Sequence, residues 1–525
     1  GMVFLALVGA AALCDGMMLT MNVNMPSAVH AGGGSEIKVP AGHHKHEAHE
    51  FETDNVVILK ERGNMLFMEH KYSEAIATFT KALELEPDNV VLLSNRALTH
   101  TKMENYGFAK EDAEKCINTD RTFAKGFYRR GTAMLGLGQV KEALKDFRVA
   151  SALRPNDKDA LSKVKHCELL VRKNAFESAI RLDGELSRDP FESLDLSTFT
   201  VPDDYDGVKW EGDITKEFVE DMVERFRDGK LIHKKYAYRL LTESKELFEP
   251  LPNVVDLEIL KGKQMTVCGD THGQFYDLLR IFELNDKPSE ANPYVFNGDF
   301  VDRGSWSSEV IMTLLAYKCL YPNSLHLTRG NHETCAMNQM YGFSGEIDHK
   351  YGHHMYECFV VIFKNLPLAM TLNKKVFICH GGLFSDDRVT LEDIQKVDRV
   401  VEPPADGILC DILWSDPQDA MGRSPSKRGT GCMFGPDVTE KWLKANNMKL
   451  LVRSHEMKED GYDVQHNGKC ITIFSAPNYC DQMGNKGAFI KFGHDCHPTF
   501  TRFDAAPHPD IKPMAYSVLG FGGLT

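Results

Sequence analysis

Tyr294-Val295-Phe296-Asn297-Gly298-Asp299-Phe300-Val301-Asp302-Arg303-Gly304 is the stretch from which the rest of the chain can be read. Its first four residues form a short apolar run of the kind that becomes a buried strand. The remainder is a glycine-bounded loop carrying two aspartates and an arginine. The same plan recurs on both sides. Met265–Cys268 runs into Gly269-Asp270-Thr271-His272-Gly273, and Ser324–Thr328 runs into Gly330-Asn331-His332-Glu333. A helical pattern over Trp306–Leu320 lies between the second and third runs. Further on, Val376–Cys379 is followed at once by His380, and Lys449–Val452 shortly by His455. Strand, helix and strand in this order imply an α/β layer architecture, and polar residues just past strand C-termini stand where such sheets collect ligands.

The residue types decide the chemistry. Asp270, Asp299 and Asn331 offer hard oxygens, and His272, His380 and His455 offer imidazoles, a mixture that suits first-row divalent metals. Six ligands are too many for one tetrahedral zinc with an open position. They suit two metals sharing one carboxylate, between which a bridging water becomes hydroxide near neutral pH and can attack phosphorus in line. No candidate nucleophilic Cys or Ser motif stands out. Cys268 and Cys379, on expected core strands, read as small hydrophobes. His353-His354 reads as a surface feature of a helix.

The three blocks in this order, with His380 and His455 behind them, resemble the phosphoprotein-phosphatase (PPP) superfamily across residues 205–505. The resemblance implies an α/β metallophosphoesterase domain with a central β-sandwich flanked by helices, hydrolysing phosphoserine and phosphothreonine in proteins. It implies that Asp270, His272 and Asp299 hold one metal, and that Asp299, Asn331, His380 and His455 hold a second, with Asp299 as the bridge. Manganese, iron, zinc and magnesium all suit such a set. His332 would be the general acid and Asp302 the carboxylate that orients it. Arg303, Arg428, Asn331 and Tyr479 would bind the substrate phosphate. Glu333 is expected to support the ligands rather than to be one.

The region before this domain repeats itself. Gly63, Ala97 and Gly131 are spaced by 34 residues, as are Tyr72, Tyr106 and Val140, and Ala75, Ala109 and Ala143. Helical apolar spacing within each unit and small residues at fixed positions read as paired helices that bury their faces only by stacking. The expectation is an all-α tetratricopeptide solenoid of three repeats, 56–89, 90–123 and 124–157, with a capping helix up to 183. Lys60, Asn64, Asn95, Lys125 and Arg129 fall on the first helices of the units, where three cations and two amides converge on one groove. They resemble the carboxylate clamp of repeat domains that hold the C-terminal tails of heat-shock protein 90 and similar chaperones.

Repeats fused ahead of such a phosphatase resemble the type 5 branch of the superfamily. That resemblance implies autoinhibition by the repeat domain and a C-terminal tail over 506–525, with release by chaperone tails or fatty acids. Residues 184–204 are expected to link the two domains. Gly520, Gly522 and Gly523 disfavour a terminal helix and imply weaker bracing. The 525 residues carry a net charge of −14, which excludes nucleic acid and anionic membranes as general partners. The 13 cysteines form no short framework and no Cys-x-x-Cys pair, so a reducing compartment, cytoplasmic and also nuclear, is expected. Residues 1–55 are expected to be disordered, with His43, His44, His46 and His49 solvated. The apolar run Val3–Leu13 is too short to span a bilayer, and with no Lys or Arg before it, secretory targeting is the lesser alternative. Three other readings compete: a nucleotide pyrophosphatase on the same metal core, a non-catalytic co-chaperone, and a phosphatase whose clamp binds some other acidic tail.

Overall fold

Helices begin at Val56, Val90, Ala124 and Lys158, so the first helix of each unit restarts after 34 residues. The structure is a computed structural model that describes residues 55–182 and 189–517. The expectations for residues 1–54 and for the glycine-rich end lie outside the described residues. The repeat pairs are α1 (Val56–Met68) with α2 (Tyr72–Leu85), α3 (Val90–Lys102) with α4 (Tyr106–Thr119), and α5 (Ala124–Gly136) with α6 (Val140–Leu153); α7 (Lys158–Leu182) follows. The period has a packing reason. A Cβ on Gly63 would stand 2.5 Å from the Phe79 ring, so only glycine lets α1 settle on α2 there. Arg96–Asp112 at 2.6 Å and Arg130–Asp146 at 2.7 Å repeat one ion pair across successive units.

From Pro190 the chain docks on the second domain, where Phe191, Leu194, Leu196, Phe199 and Val201 pack against its helical core. That domain contains, in order, α8 (Lys216–Arg227), α9 (Lys234–Phe248), β1 (Val254–Leu257), β2 (Gln264–Cys268), α10 (Phe275–Asn285), β3 (Tyr294–Phe296) and α11 (Ser307–Leu320). Then come β4 (Leu325–Leu327), α12 (Cys335–Tyr341), α13 (Phe343–Lys350), α14 (His353–Asn365), β5 (Ala369–Leu372) and β6 (Val376–Cys379). Short elements follow: α15 (Leu391–Gln395), α16 (Ile408–Trp414), β7 (Asp416–Pro417), β8 (Arg423–Pro425), β9 (Cys432–Phe434) and α17 (Pro436–Ala445). The last strands are β10 (Leu450–Arg453), β11 (Tyr462–Gln465), β12 (Cys470–Ile473), β13 (Gly487–Gly493) and β14 (Pro498–Phe503).

These strands build a six-stranded sheet, β1-β5-β6-β10-β12-β11, a five-stranded sheet, β14-β13-β2-β3-β4, and a small sheet, β7-β9-β8. The two large sheets face each other over Val267, Val295, Met370, Ile378, Val452, Ile471 and Ile490, the apolar centre of a β-sandwich. Helices cover both outer faces: α8 to α11, α13 and α14 on the five-stranded sheet, and α16 and α17 on the six-stranded one. The strands β2, β3 and β4 are parallel to one another, and so are β6, β10 and β12. All six therefore deliver their C-terminal loops to one edge of the sandwich. Cys268 and Cys379 are fully buried, as small core hydrophobes are. Among the described residues no helix is long and apolar enough to cross a membrane.

The last described segment returns to this edge. Ser305 donates its hydroxyl to Lys512 O at 2.7 Å, and Met514 N donates to Arg303 O at 2.8 Å. The Met514 side chain is buried among residues of α5, α6 and α7 together with Met337, Met340 and Tyr341. The tail thus wedges between the repeats and the phosphoesterase domain as irregular backbone over its described part.

Candidate metal centre and phosphate grip

Six of the loop residues meet at that edge. Asp270 and His272 come from the β2 loop, Asp299 from the β3 loop, Asn331 from the β4 loop, His380 from the end of β6 and His455 from the end of β10. His272 Nε2 lies 3.6 Å from both Asp270 Oδ2 and Asp299 Oδ2, and His380 Nε2 lies 3.2 Å from Asp299 Oδ2. His455 Nδ1 is 3.3 Å from His380 Nε2. Two groupings have the closeness of metal ligands: Asp299 with His380 and His455, and Asp299 with His272 and His332. Asp299 belongs to both, which is the position of a bridging carboxylate. In the second grouping His332 stands where the sequence reading had Asp270, although Asp270 is in reach of the same His272 nitrogen.

The donors fit cations on three counts. Carbonyl oxygens only accept, so His272 Nδ1 at 3.1 Å from Val301 O and His380 Nδ1 at 2.8 Å from Asn297 O must carry the protons; both Nε2 lone pairs then face the cluster. The Asn331 side-chain amide reaches His380 Nε2 at 2.9 Å and His455 Nδ1 at 2.8 Å, which puts its oxygen within the same donor group. Burial also leaves the charges uncompensated: it pushes Asp270 up to about 7 and Asp299 well above the usual carboxylate range, while it holds His272 and His455 well below theirs. Divalent cations here would reverse that penalty on the carboxylates.

Local backbone is bent to make this possible. His272, Asp299, Asp302, Arg303 and His455 have φ between 41° and 72°, a left-handed conformation that costs non-glycine residues of order 1–3 kcal/mol each. Glu333 holds part of this strain. Its carboxylate accepts from the backbone N–H groups of Asp299, Phe300 and Gly330 at 2.8–2.9 Å, tying the β3 and β4 loops together. Gly330 is required at the junction, because a Cβ there would stand 2.3 Å from Asp299 Oδ1.

Beside the metal donors lies a cavity of about 110 Å³. His332 Nδ1 is 2.9 Å from Asp302 Oδ2, so its Nε2 faces the cavity side. The Arg303 guanidinium stacks 3.7 Å over the Tyr341 ring and is almost wholly buried. Arg428 Nε donates to Asp416 Oδ2 at 2.7 Å and Nη2 to His455 O at 2.6 Å, which fixes its plane. The ring of Tyr479 packs 5.1 Å from His272.

The repeats supply the remaining wall. Glu104, on the turn between α3 and α4, places Oε1 2.8 Å from Arg303 Nη2 and 3.3 Å from the Tyr479 hydroxyl. Tyr106 lies 3.3 Å, hydroxyl to hydroxyl, from Tyr341, and Phe108 N donates to Lys427 O at 3.2 Å. Sequence reasoning passed over Glu104, Tyr106, Tyr341 and Asp416. An acid on an inter-helix turn carries no signal that distinguishes it from a solvated one. Of the residues expected on the groove of the repeats, Asn95 Nδ2 donates to Asn64 Oδ1 at 2.9 Å, and Arg129 Nε is buried without a hydrogen-bond partner. Lys60 and Lys125 stand on the same helices, α1 and α5.

Known proteins agree with this architecture. A calcineurin-like phosphoesterase family model matches residues 264–459, a tetratricopeptide-repeat model residues 56–89, and a PPP5 TPR repeat region model residues 164–256. The chain is 50% identical over 461 residues to human serine/threonine-protein phosphatase 5, covering 87% of this chain and 92% of the human protein. It is 48% identical to serine/threonine-protein phosphatase T of Aspergillus oryzae, covering 87% of this chain and 96% of that protein. A solved Saccharomyces cerevisiae protein serine/threonine phosphatase, described as similar to human phosphatase PP5, superposes with a TM-score of 0.56 at 43% identity, covering 57% of this chain and 100% of the yeast chain. With candidate metal donors gathered at one edge and relatives of about half-identical sequence along nearly their whole length, the chain belongs to the serine/threonine-protein phosphatase 5 family.

Proposed function

We propose that this phosphatase removes phosphate from serine and threonine side chains of proteins, and that its repeat domain holds it inhibited until an acidic C-terminal tail is bound. The observation that carries the second half is Glu104. Its carboxylate sits between Arg303 and Tyr479, where a substrate phosphate would take the same charge-assisted hydrogen bonds.

Asp270, His272, Asp299, Asn331, His380 and His455 would hold two divalent ions, with manganese, iron, zinc and magnesium all compatible with the donor types. When bound, such ions supply Lewis-acid charge and make water acidic enough to act as a nucleophile at neutral pH. The chain does the rest. Arg303 and Arg428 bind and orient the phosphate oxygens, and the bond of Arg428 to Asp416 keeps its fork from turning. His332 gives the proton on Nε2 to the leaving alkoxide, and Asp302, bonded to Nδ1, stabilises the imidazolium form. Tyr479 donates its hydroxyl to the same phosphate.

Lys60, Asn64, Asn95, Lys125 and Arg129 form the docking clamp, and its partner is the C-terminal tail of a heat-shock protein 90-type chaperone. Asn95 rides on α3 and Glu104 on the turn that follows it, so a peptide in the groove and the Glu104 contact act on one continuous element. The described cysteines are all unpaired, which supports a cytosolic and nuclear location. The test is hydrolysis of a phosphoserine peptide by the full chain with manganese, with and without a peptide ending in Met-Glu-Glu-Val-Asp. Activity that rises with the peptide supports both sites and their coupling. Activity indifferent to it removes the clamp or the inhibition, and no activity under either condition removes the catalytic roles assigned above.

A further inference from the structure

The helix that caps the repeats is itself in register with them. It starts at Lys158, again 34 residues after α5, so α7 is the first helix of an unfinished fourth unit. Counting within units, Lys163 therefore occupies the same position as Asn95 and Arg129, and His166 the same position as Asn64, all residues assigned to the clamp. Lys163 is also chemically unusual. It is only 6% exposed, and its amine has no hydrogen-bond partner. His166 Nε2 likewise has none. Burial pushes the Lys163 amine down to about 8. Asp159, four residues earlier on α7, offsets part of this penalty, but a buried amine that no acceptor contacts is costly to keep charged in a folded chain.

We propose that Lys163, with His166 beside it, is a further subsite of the docking groove that binds an acidic side chain of the peptide upstream of its C-terminal residue. The inference rests on the clamp reading above and extends it by one helix. Geometry sets which residue is read. Neighbouring helices in such arrays stand ~8–10 Å apart, and an extended peptide advances ~3.3 Å per residue, so one helix step corresponds to roughly three residues. The α5 residue Tyr128 packs into the same cluster as Val164, Cys167 and Leu170 of α7, which makes α7 the next wall of the groove. With the end of the peptide held by Lys60, Asn64, Asn95 and Arg129, an acid two or three residues earlier reaches Lys163. The subsite thus makes the groove select for acidity before the terminus as well as at it.

Binding of synthetic peptides to the full chain tests this. Expected is that Met-Glu-Glu-Val-Asp binds about 10-fold more tightly than Met-Gln-Gln-Val-Asp, that Lys163→Met abolishes this difference, and that Arg129→Ala weakens both peptides. Lys163→Met with an intact Glu-over-Gln preference overturns the subsite. Wild-type protein that binds an amidated C-terminus as well as a free one overturns the clamp itself, which is a separate failure. A measurement on unmutated protein guards against a misfolded variant: carbodiimide coupling of the bound acidic peptide should join an upstream Glu to Lys163. Cross-links confined to Lys60 and Lys125 would likewise refute it.

Discussion

Replacing Glu104 by glutamine keeps the shape of the side chain and removes its charge. In the closed arrangement the Glu104 carboxylate contacts a guanidinium whose side chain is 4% exposed, at 2.8 Å. A hydrogen bond between charged partners contributes roughly 1.5–3 kcal/mol, so its loss shifts the equilibrium between docked and released repeats by roughly 10- to 150-fold. The other docking contacts remain, including Tyr106 with Tyr341, Phe108 with Lys427 and the buried Met514, so the variant should still close part of the time. With Arg303 and Tyr479 assigned to the phosphate as proposed above, Glu104 would act as a tethered competitor of substrate. Its removal should therefore raise kcat/KM for a phosphoserine peptide by about 10-fold or more. With saturating acidic peptide, wild type and variant should converge. The assay is initial-rate kinetics with manganese over a range of substrate. Unchanged kcat/KM in Glu104→Gln, with the acidic peptide still activating as in wild type, would falsify the tethered-competitor reading.

Gly107→Val probes the same interface against the backbone that flanks Arg428. A Cβ at Gly107 would meet Gly429 N at 2.7 Å and Lys427 O at 2.9 Å, so a branched side chain should wedge the repeats away and raise basal turnover; a wild-type rate would mean that this contact is not part of closure. His332→Asn should keep its metal content by elemental analysis while losing about 10²–10⁴ in rate, and a parallel loss of metal would reassign His332 as a ligand. Chelation should abolish turnover and lower the melting temperature, since ions that bind only the folded site stabilise it; restored activity on adding manganese checks reversibility. His508 bears on the tail. Burial opposes its charged form, but the Pro509 carbonyl and Asp481, 3.1 Å away, raise its pKa overall. Its stabilising contribution is therefore present at low pH and lost as pH rises through the raised value, so proteolysis of the tail should speed up across that window, and His508→Gln should flatten the profile.

Much of this protein is legible along the chain because its signals are local. The 34-residue period survives in the sequence since each unit packs only on its neighbours, and Gly63 against Phe79 is a contact within one unit. Strand-then-ligand order is also local: a few apolar residues followed by Asp, Asn or His already say that ligands sit at strand ends. The helix over 306–320 and the strands before Asp270, Asp299, Asn331, His380 and His455 follow from the same reasoning, within a residue or two at their ends.

What the amino-acid order supplied by itself is therefore the inventory: stacked helix pairs, an α/β layer architecture, six candidate metal donors and five cations and amides expected to share one groove. Tertiary structure alone decided how the parts meet. Two parallel sets of strands had to bring six loops to one edge before Asp299 could belong to two donor groups. Glu333 could act as a brace only once three backbone N–H groups converged on it. The Glu104 contact joins residues 199 positions apart, and Lys163 gains meaning only from being shut away from water. Long-range pairing of this kind depends on where whole domains come to rest, a sum of many small packing energies that no short stretch of sequence displays.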